Sequence, residues 1–274
     1  MKIAYYYQSF VGLQQLATHY QDVDRLIVSS LHFDDDPHGA PGIYLNDNEP
    51  NDVIFYQMWT EVEKASAEGV DVHLMVGGAG GAFQALFSDF EGYYPLLSDL
   101  LRDKSFITGI NLDIEETVAL PDVKRLIQRL SDDFSDSNDS NSNGSDRGFQ
   151  VTMAPVQGAM TSDSSGMGGF SYKELFGSPE GQLISSFNVQ CYGAFSYDTF
   201  KAIVDNGYPS HKICLGIMSG QYTSETFHEF VSEVQQINRA FPEFAGVYDW
   251  EYLNAPPDTK DPSVFASILK NIIK

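Results

Sequence analysis

Apolar residues in this chain gather in short runs of strand length, separated by longer stretches with helical periodicity. The runs cover 3–7, 26–33, 70–76, 107–115, 149–155, 187–192, 212–218 and 245–250, which predicts eight strands. Amphipathic segments at 52–68, 81–102, 122–134, 224–241 and 262–273 read as helices between and after them. Strict alternation of eight strands with helices predicts an α/β fold of the closed parallel (β/α)8 barrel type rather than an open doubly wound sheet. A length of 274 residues suits one such barrel, so a single catalytic domain over 1–274 is expected. Functional side chains in that architecture sit at the C-terminal ends of the strands.

The fourth run ends Asn111-Leu112-Asp113-Ile114-Glu115, and a period of two puts Asn111, Asp113 and Glu115 on one face of the strand. Three polar groups there are costly to bury unless they do chemistry. The spacing suggests that Glu115 is held beside Asp113, whose charge raises the pKa of its neighbour and keeps a general acid protonated. Glu116 should point the other way, which spoils a compact metal-ligand set of Asp113, Glu115 and Glu116. The histidines lack metal-ligand spacing, and no cofactor is expected.

The stretch 131–147 is acidic, low in complexity and almost without apolar groups, and is expected to form a solvated, flexible loop at the N-terminal rim. It lacks the regular ligand spacing of a calcium loop. A second loop, 161–169, follows strand five at the functional rim and could flank a cleft. The glycines from Gly77 to Gly81 lack the lysine of a nucleotide loop and are read as letting a ligand approach the backbone.

Charge narrows the partners. With 38 acidic against 16 basic side chains the net charge is −22, which excludes nucleic acid and anionic membranes as natural partners. Fifteen Tyr and 19 Phe offer faces that can stack on flat ligands such as sugar rings. Cys191 and Cys214 give no disulfide framework. The opening residues already read as a strand rather than a signal peptide, so the expected location is the cytoplasm or export by a route the sequence does not show. A monomer is expected.

Gly109, Asp113 and Glu115 resemble the signature of the family 18 glycoside hydrolases, in which alternating apolar and acidic residues end in a catalytic glutamate. Thr108 stands where the family has an acid, and Asn111 where it has the first alternating aspartate. Strand three ends in Val76-Gly77-Gly78-Ala79-Gly80-Gly81, similar to the family's double-glycine motif with Met75 in place of serine. Met153-Ala154-Pro155, Gln190-Cys191-Tyr192 and Gly246-Val247-Tyr248-Asp249-Trp250 follow in the family's order. The ending Asp-Ile-Glu and the Gln-x-Tyr pattern are most similar to the plant-type, hevamine-like branch. Little more than one helix fits between Met218 and Ala245, which leaves no room for an inserted domain.

The resemblance implies an endo-acting, retaining chitinase that cleaves β-1,4-linked N-acetylglucosamine polymers by substrate-assisted catalysis. It implies Glu115 as general acid and base, Asp113 and Tyr192 as partners of the substrate's acetamido group, and Trp250 as the floor beneath the distorted sugar. Gln190, Tyr5, Tyr7, Gly78, Asn111 and Met153 are expected to line or bind substrate. Asn111 is expected to keep the family's hydrogen bond to Asp113 while removing a charge, which makes Asp113 a stronger acid. An endo-β-N-acetylglucosaminidase acting on N-glycan cores and a non-catalytic glycan-binding lectin are the alternatives.

Overall fold

In the computed structural model, residues 1–134 and 148–272 are described. Nine strands form one sheet: β1 (Lys2–Tyr7), β2 (Arg25–Asp35), β3 (Pro41–Leu45), β4 (Asp71–Gly77), β5 (Gly109–Asp113), β6 (Gln150–Met153), β7 (Ile184–Gln190), β8 (Ile213–Met218) and β9 (Gly246–Trp250). All but β3 pair in parallel, and β1 pairs with both β9 and β2, so eight strands close a barrel. The eight predicted strands are these eight. The unpredicted β3 runs back along β2, with Leu31 to Asp35 opposite Leu45 to Pro41, and raises the wall at the C-terminal rim.

The helices are α1 (Tyr56–Ala67), α2 (Phe83–Ser88), α3 (Phe90–Asp103), α4 (Leu120–Phe134), α5 (Gln157–Thr161), α6 (Tyr172–Phe176), α7 (Pro179–Gln182), α8 (Tyr197–Asp205), α9 (Phe227–Ala240) and α10 (Ser263–Ile272). Helical spacing in α4 buries Val123, Leu126, Ile127 and Leu130 on one stripe. The predicted helix at 81–102 is broken in two by Asp89, whose side chain accepts from the Gly92 N–H and starts α3 as its N-cap. Four residues of the expected acidic loop, 131–134, instead complete α4. The remainder, 135–147, lies outside the described residues. Only α9 occupies the segment between β8 and β9, with no inserted domain.

Two cores follow from strand alternation. Between barrel and helices lies the large one, which includes Tyr5, Tyr7, Leu112, Ile114 and Met153. Inside the barrel a smaller cluster joins Ala4, Tyr6, Ile27, Met75, Cys214 and Tyr248, with Tyr192 and Trp250 packed at its edge. Tyr248 lies over Gly216, where any Cβ would strike the ring. At the N-terminal end Arg25 donates to Gln150 Oε1 at 2.7 Å and faces Asp71 at 3.6 Å, a polar floor far from the opposite mouth.

Candidate active site

The inward face of β5 carries Asn111 and then Asp113, and the chain leaves the barrel at Glu115. Asp113 is buried at 6% exposure, whereas Glu115 is half-buried at the mouth. Gln190, the inward residue at the end of β7, bridges them: its Nε2 donates to Asp113 Oδ1 at 3.0 Å, to Glu115 Oε1 at 3.3 Å and to the Ala154 carbonyl at 3.0 Å. Burial first, then the charge of Glu115, pushes the Asp113 carboxyl well above the ordinary carboxylate range, and the Gln190 hydrogen bond pulls against them. The Asp113 carboxyl therefore favours its protonated form. Desolvation decides it, because Asp113 is the one taken out of water.

Asn111 departs from expectation. It is fully buried, one inward position below Asp113, and cannot meet a substrate. Its amide is committed elsewhere: Oδ1 accepts from the Tyr6 hydroxyl at 2.9 Å and Nδ2 donates to Thr152 Oγ1 at 2.9 Å. No hydrogen bond joins it to Asp113. Tyr6 in turn accepts from Asn188 Nδ2 at 3.1 Å, and Thr152 donates to the Ile110 carbonyl at 3.0 Å.

Three further expectations are corrected by strand parity. Tyr5 and Tyr7 face the helix layer, fully buried. The Tyr5 hydroxyl donates to the Pro262 carbonyl at 2.6 Å and accepts from the Ala266 N–H, and that of Tyr7 accepts from the Gly12 N–H at 2.9 Å. Met153 likewise points outward into the large core. The inward aromatic of β1 is Tyr6, whose ring meets that of Trp250 at 5.1 Å between centroids.

Gly78 is buried rather than open to a ligand, and its N–H donates to the Asp113 carbonyl at 2.8 Å. At Gly77, with φ +94°, a Cβ would strike that same carbonyl and Phe83, so these glycines let β4 close on the strand that carries the acids. Glu116 turns away as expected and accepts from the N–H groups of Ala82, Phe83 and Gln84, anchoring the start of α2.

Around the pair stand two groups the sequence singled out. Tyr192, just beyond β7, and Trp250, ending β9, are half-buried and pack against the edge of the inner cluster. The Tyr192 phenol is held protonated by burial and, more weakly, by the nearby charges of Asp113, Asp249 and Glu115. The 161–169 loop reaches this rim, where the Gly168 carbonyl accepts from the Val118 N–H just past Glu115. Asn188 and Thr152 were not anticipated, and Tyr248 and Asp249 entered only as part of the last strand's motif, without a role of their own. Asp249 is buried beside Ser219, whose hydroxyl donates to Oδ2 at 2.7 Å.

No family model matches the chain, and no curated protein matches it in sequence. Solved structures do. A fungal endo-β-N-acetylglucosaminidase from glycosyl hydrolase family 18 superposes with a TM-score of 0.83 at 28% identity, covering 100% of this chain and 98% of that one. The chitinase ChiC from Aspergillus fumigatus gives a TM-score of 0.80 at 27% identity, over 100% and 99% of the two chains. A chitinase-like agglutinin from Robinia pseudoacacia shares the fold, with a TM-score of 0.65 at 12% identity over 99% of each chain. End-to-end agreement with a family 18 hydrolase, together with a closed barrel that presents the Asp113 and Glu115 pair at its mouth, makes the chain similar throughout its length to glycoside hydrolase family 18 and gives it that fold.

Proposed function

We propose that the protein is an endo-acting, retaining glycosidase of β-1,4-linked N-acetylglucosamine chains, with Glu115 as the acid and base. The observation that carries this reading is the bridged pair: a buried Asp113 and a half-buried Glu115 at the barrel mouth, joined by one amide. Glu115 protonates the glycosidic oxygen as the substrate's acetamido carbonyl attacks the anomeric carbon, so no protein nucleophile is needed. Asp113 accepts the acetamido N–H and carries negative charge opposite the oxazolinium ion as it forms. The Tyr192 hydroxyl, kept protonated, donates to the acetamido oxygen before it attacks. Water then opens the ring from the same face, with Glu115 taking its proton, and the configuration is retained.

Trp250, resting on Tyr6, supplies a flat apolar face beneath the reacting sugar. The short link through α9 leaves the cleft without an added wall, which favours attack within a polymer. A polymer of neutral sugars also suits a surface that repels anions.

The test is the product anomer. NMR of the first products from soluble N-acetylglucosamine oligomers should show the β anomer before mutarotation, whereas α-anomer products would contradict substrate-assisted retention. The likeness to a fungal endo-β-N-acetylglucosaminidase favours a second substrate with the same acetamido chemistry, the chitobiose core of N-glycans. Comparing kcat/KM on a high-mannose glycopeptide and on the oligomers decides between them.

A further inference from the structure

The Gln190 amide has two N–H bonds and faces three acceptors: the Ala154 carbonyl at 3.0 Å, Asp113 Oδ1 at 3.0 Å and Glu115 Oε1 at 3.3 Å. The carbonyl takes one hydrogen, so the two carboxyls share the other. Gln190 itself is fixed at the end of β7, where its backbone N–H donates to the Pro155 carbonyl at 2.8 Å. We infer that Gln190 is a positioning residue, which holds Asp113 and Glu115 in fixed relation and lets negative charge pass from one to the other without rearrangement. The inference rests on Glu115 being the acid.

Before substrate arrives, burial favours the protonated form of Asp113, and the shared hydrogen is free to lean toward Glu115. When an acetamido N–H reaches Asp113, the proton leaves Asp113 and arrives on Glu115, which is then armed to protonate the glycosidic oxygen. The pair carries a single negative charge during this exchange, until Glu115 gives up its proton, and the shared hydrogen follows the charge from Glu115 to Asp113. In a site shielded from water such a shift ordinarily requires dipoles to turn; here the dipole already points between both ends.

The surroundings leave this task to the amide. Among the described residues the phenols that feel the pair's charge are Tyr6 from β1, Tyr172 from α6 and Tyr192 beyond β7, all kept protonated by burial first and then by the acids themselves. Asp249 adds only a like charge, felt at Tyr192, and its own burial favours the neutral form. Among the described residues no Lys, Arg or His acts on Asp113, and the Gln190 hydrogen bond is what favours its charged form. Asn111, one layer down, is occupied by Tyr6 and Thr152.

Gln190→Met keeps the bulk and removes both N–H groups. With soluble N-acetylglucosamine oligomers, kcat should fall about 10- to 100-fold, the span expected for losing a hydrogen bond to a charged group, with KM little changed. Because the N–H favours the ionised forms, its loss should displace both limbs of the kcat–pH profile to higher pH. Gln190→Glu keeps the shape and donates only when protonated, so its activity should recover as the pH falls; circular dichroism establishes that either variant is folded. Unmoved limbs in Gln190→Met, or a change confined to KM, would make Gln190 a substrate contact and overturn the inference. Full activity in Glu115→Gln would instead overturn the assignment of the acid.

Discussion

Two adjacent layers of the barrel interior are built on opposite terms. In the lower one, Tyr6, Asn111, Thr152 and Asn188 are neutral and bonded to one another or to backbone. One inward position higher, Asp113 and Glu115 share a single amide and open to the mouth. The lower layer behaves as a core that happens to be polar, and the upper one as a site whose charge has somewhere to go. Asn111 marks the boundary, because a carboxylate there would have brought a charge into a neutral layer where the described residues place no cation. The difference teaches that polarity inside a barrel is not itself a sign of chemistry; incomplete satisfaction beside an opening is.

Breaking the upper layer should cost activity, and breaking the lower one stability. Asp113→Asn should lower kcat about 100- to 1,000-fold, the range seen when one group that stabilises developing charge is removed. It should also change stability with a definite sign. Because the folded-state pKa of Asp113 is raised, its contribution is present in full below the ordinary carboxylate pKa and is lost as the pH rises through the folded value. Urea midpoints should therefore show the wild type losing ground to Asp113→Asn with rising pH, and parallel curves would mean that Asp113 is ionised in the free protein. Tyr6→Phe keeps the ring on Trp250 but strips Asn111 and Asn188 of a buried partner, which should cost about 1–3 kcal/mol in denaturant unfolding and leave the limbs of the pH–rate profile in place. A displaced limb would show the two layers to be one network. Smallest of all, Tyr5→Phe should cost about 1 kcal/mol through its bonds to Pro262 and Ala266, with KM unmoved. A raised KM would return Tyr5 to the cleft.

The barrel was legible because strand and helix periods alternate cleanly along the chain, and the acids because β5 alternates isoleucine and leucine with Asn111 and Asp113. On β1 the same reasoning failed for a physical reason. Ile3, Ala4, Tyr5, Tyr6 and Tyr7 carry no polar alternation, so nothing sets the phase, and only the pairing with β9 that sets Ala4 opposite Tyr248 turns Ala4 and Tyr6 inward. Met153 failed similarly, since an apolar residue fits either face of a strand buried on both sides. The raised pKa of Asp113 depends on its desolvation, a property of the closed barrel rather than of residue spacing. β3 stayed hidden because Pro41 to Leu45 is a short edge strand with weak periodicity. Glu116, by contrast, was read correctly as pointing away, although its place at the start of α2 depends on the loop that follows β4.

The most direct test of the central claim sets Glu115→Gln beside the wild type, with hydrolysis of soluble N-acetylglucosamine oligomers and calorimetric binding measured on the same preparations. Loss of turnover by about 100-fold or more, with oligomer affinity kept, is the result predicted for a site whose acid alone has been removed. Binding by both proteins with turnover by neither would contradict the account and leave a glycan-binding protein on a hydrolase fold.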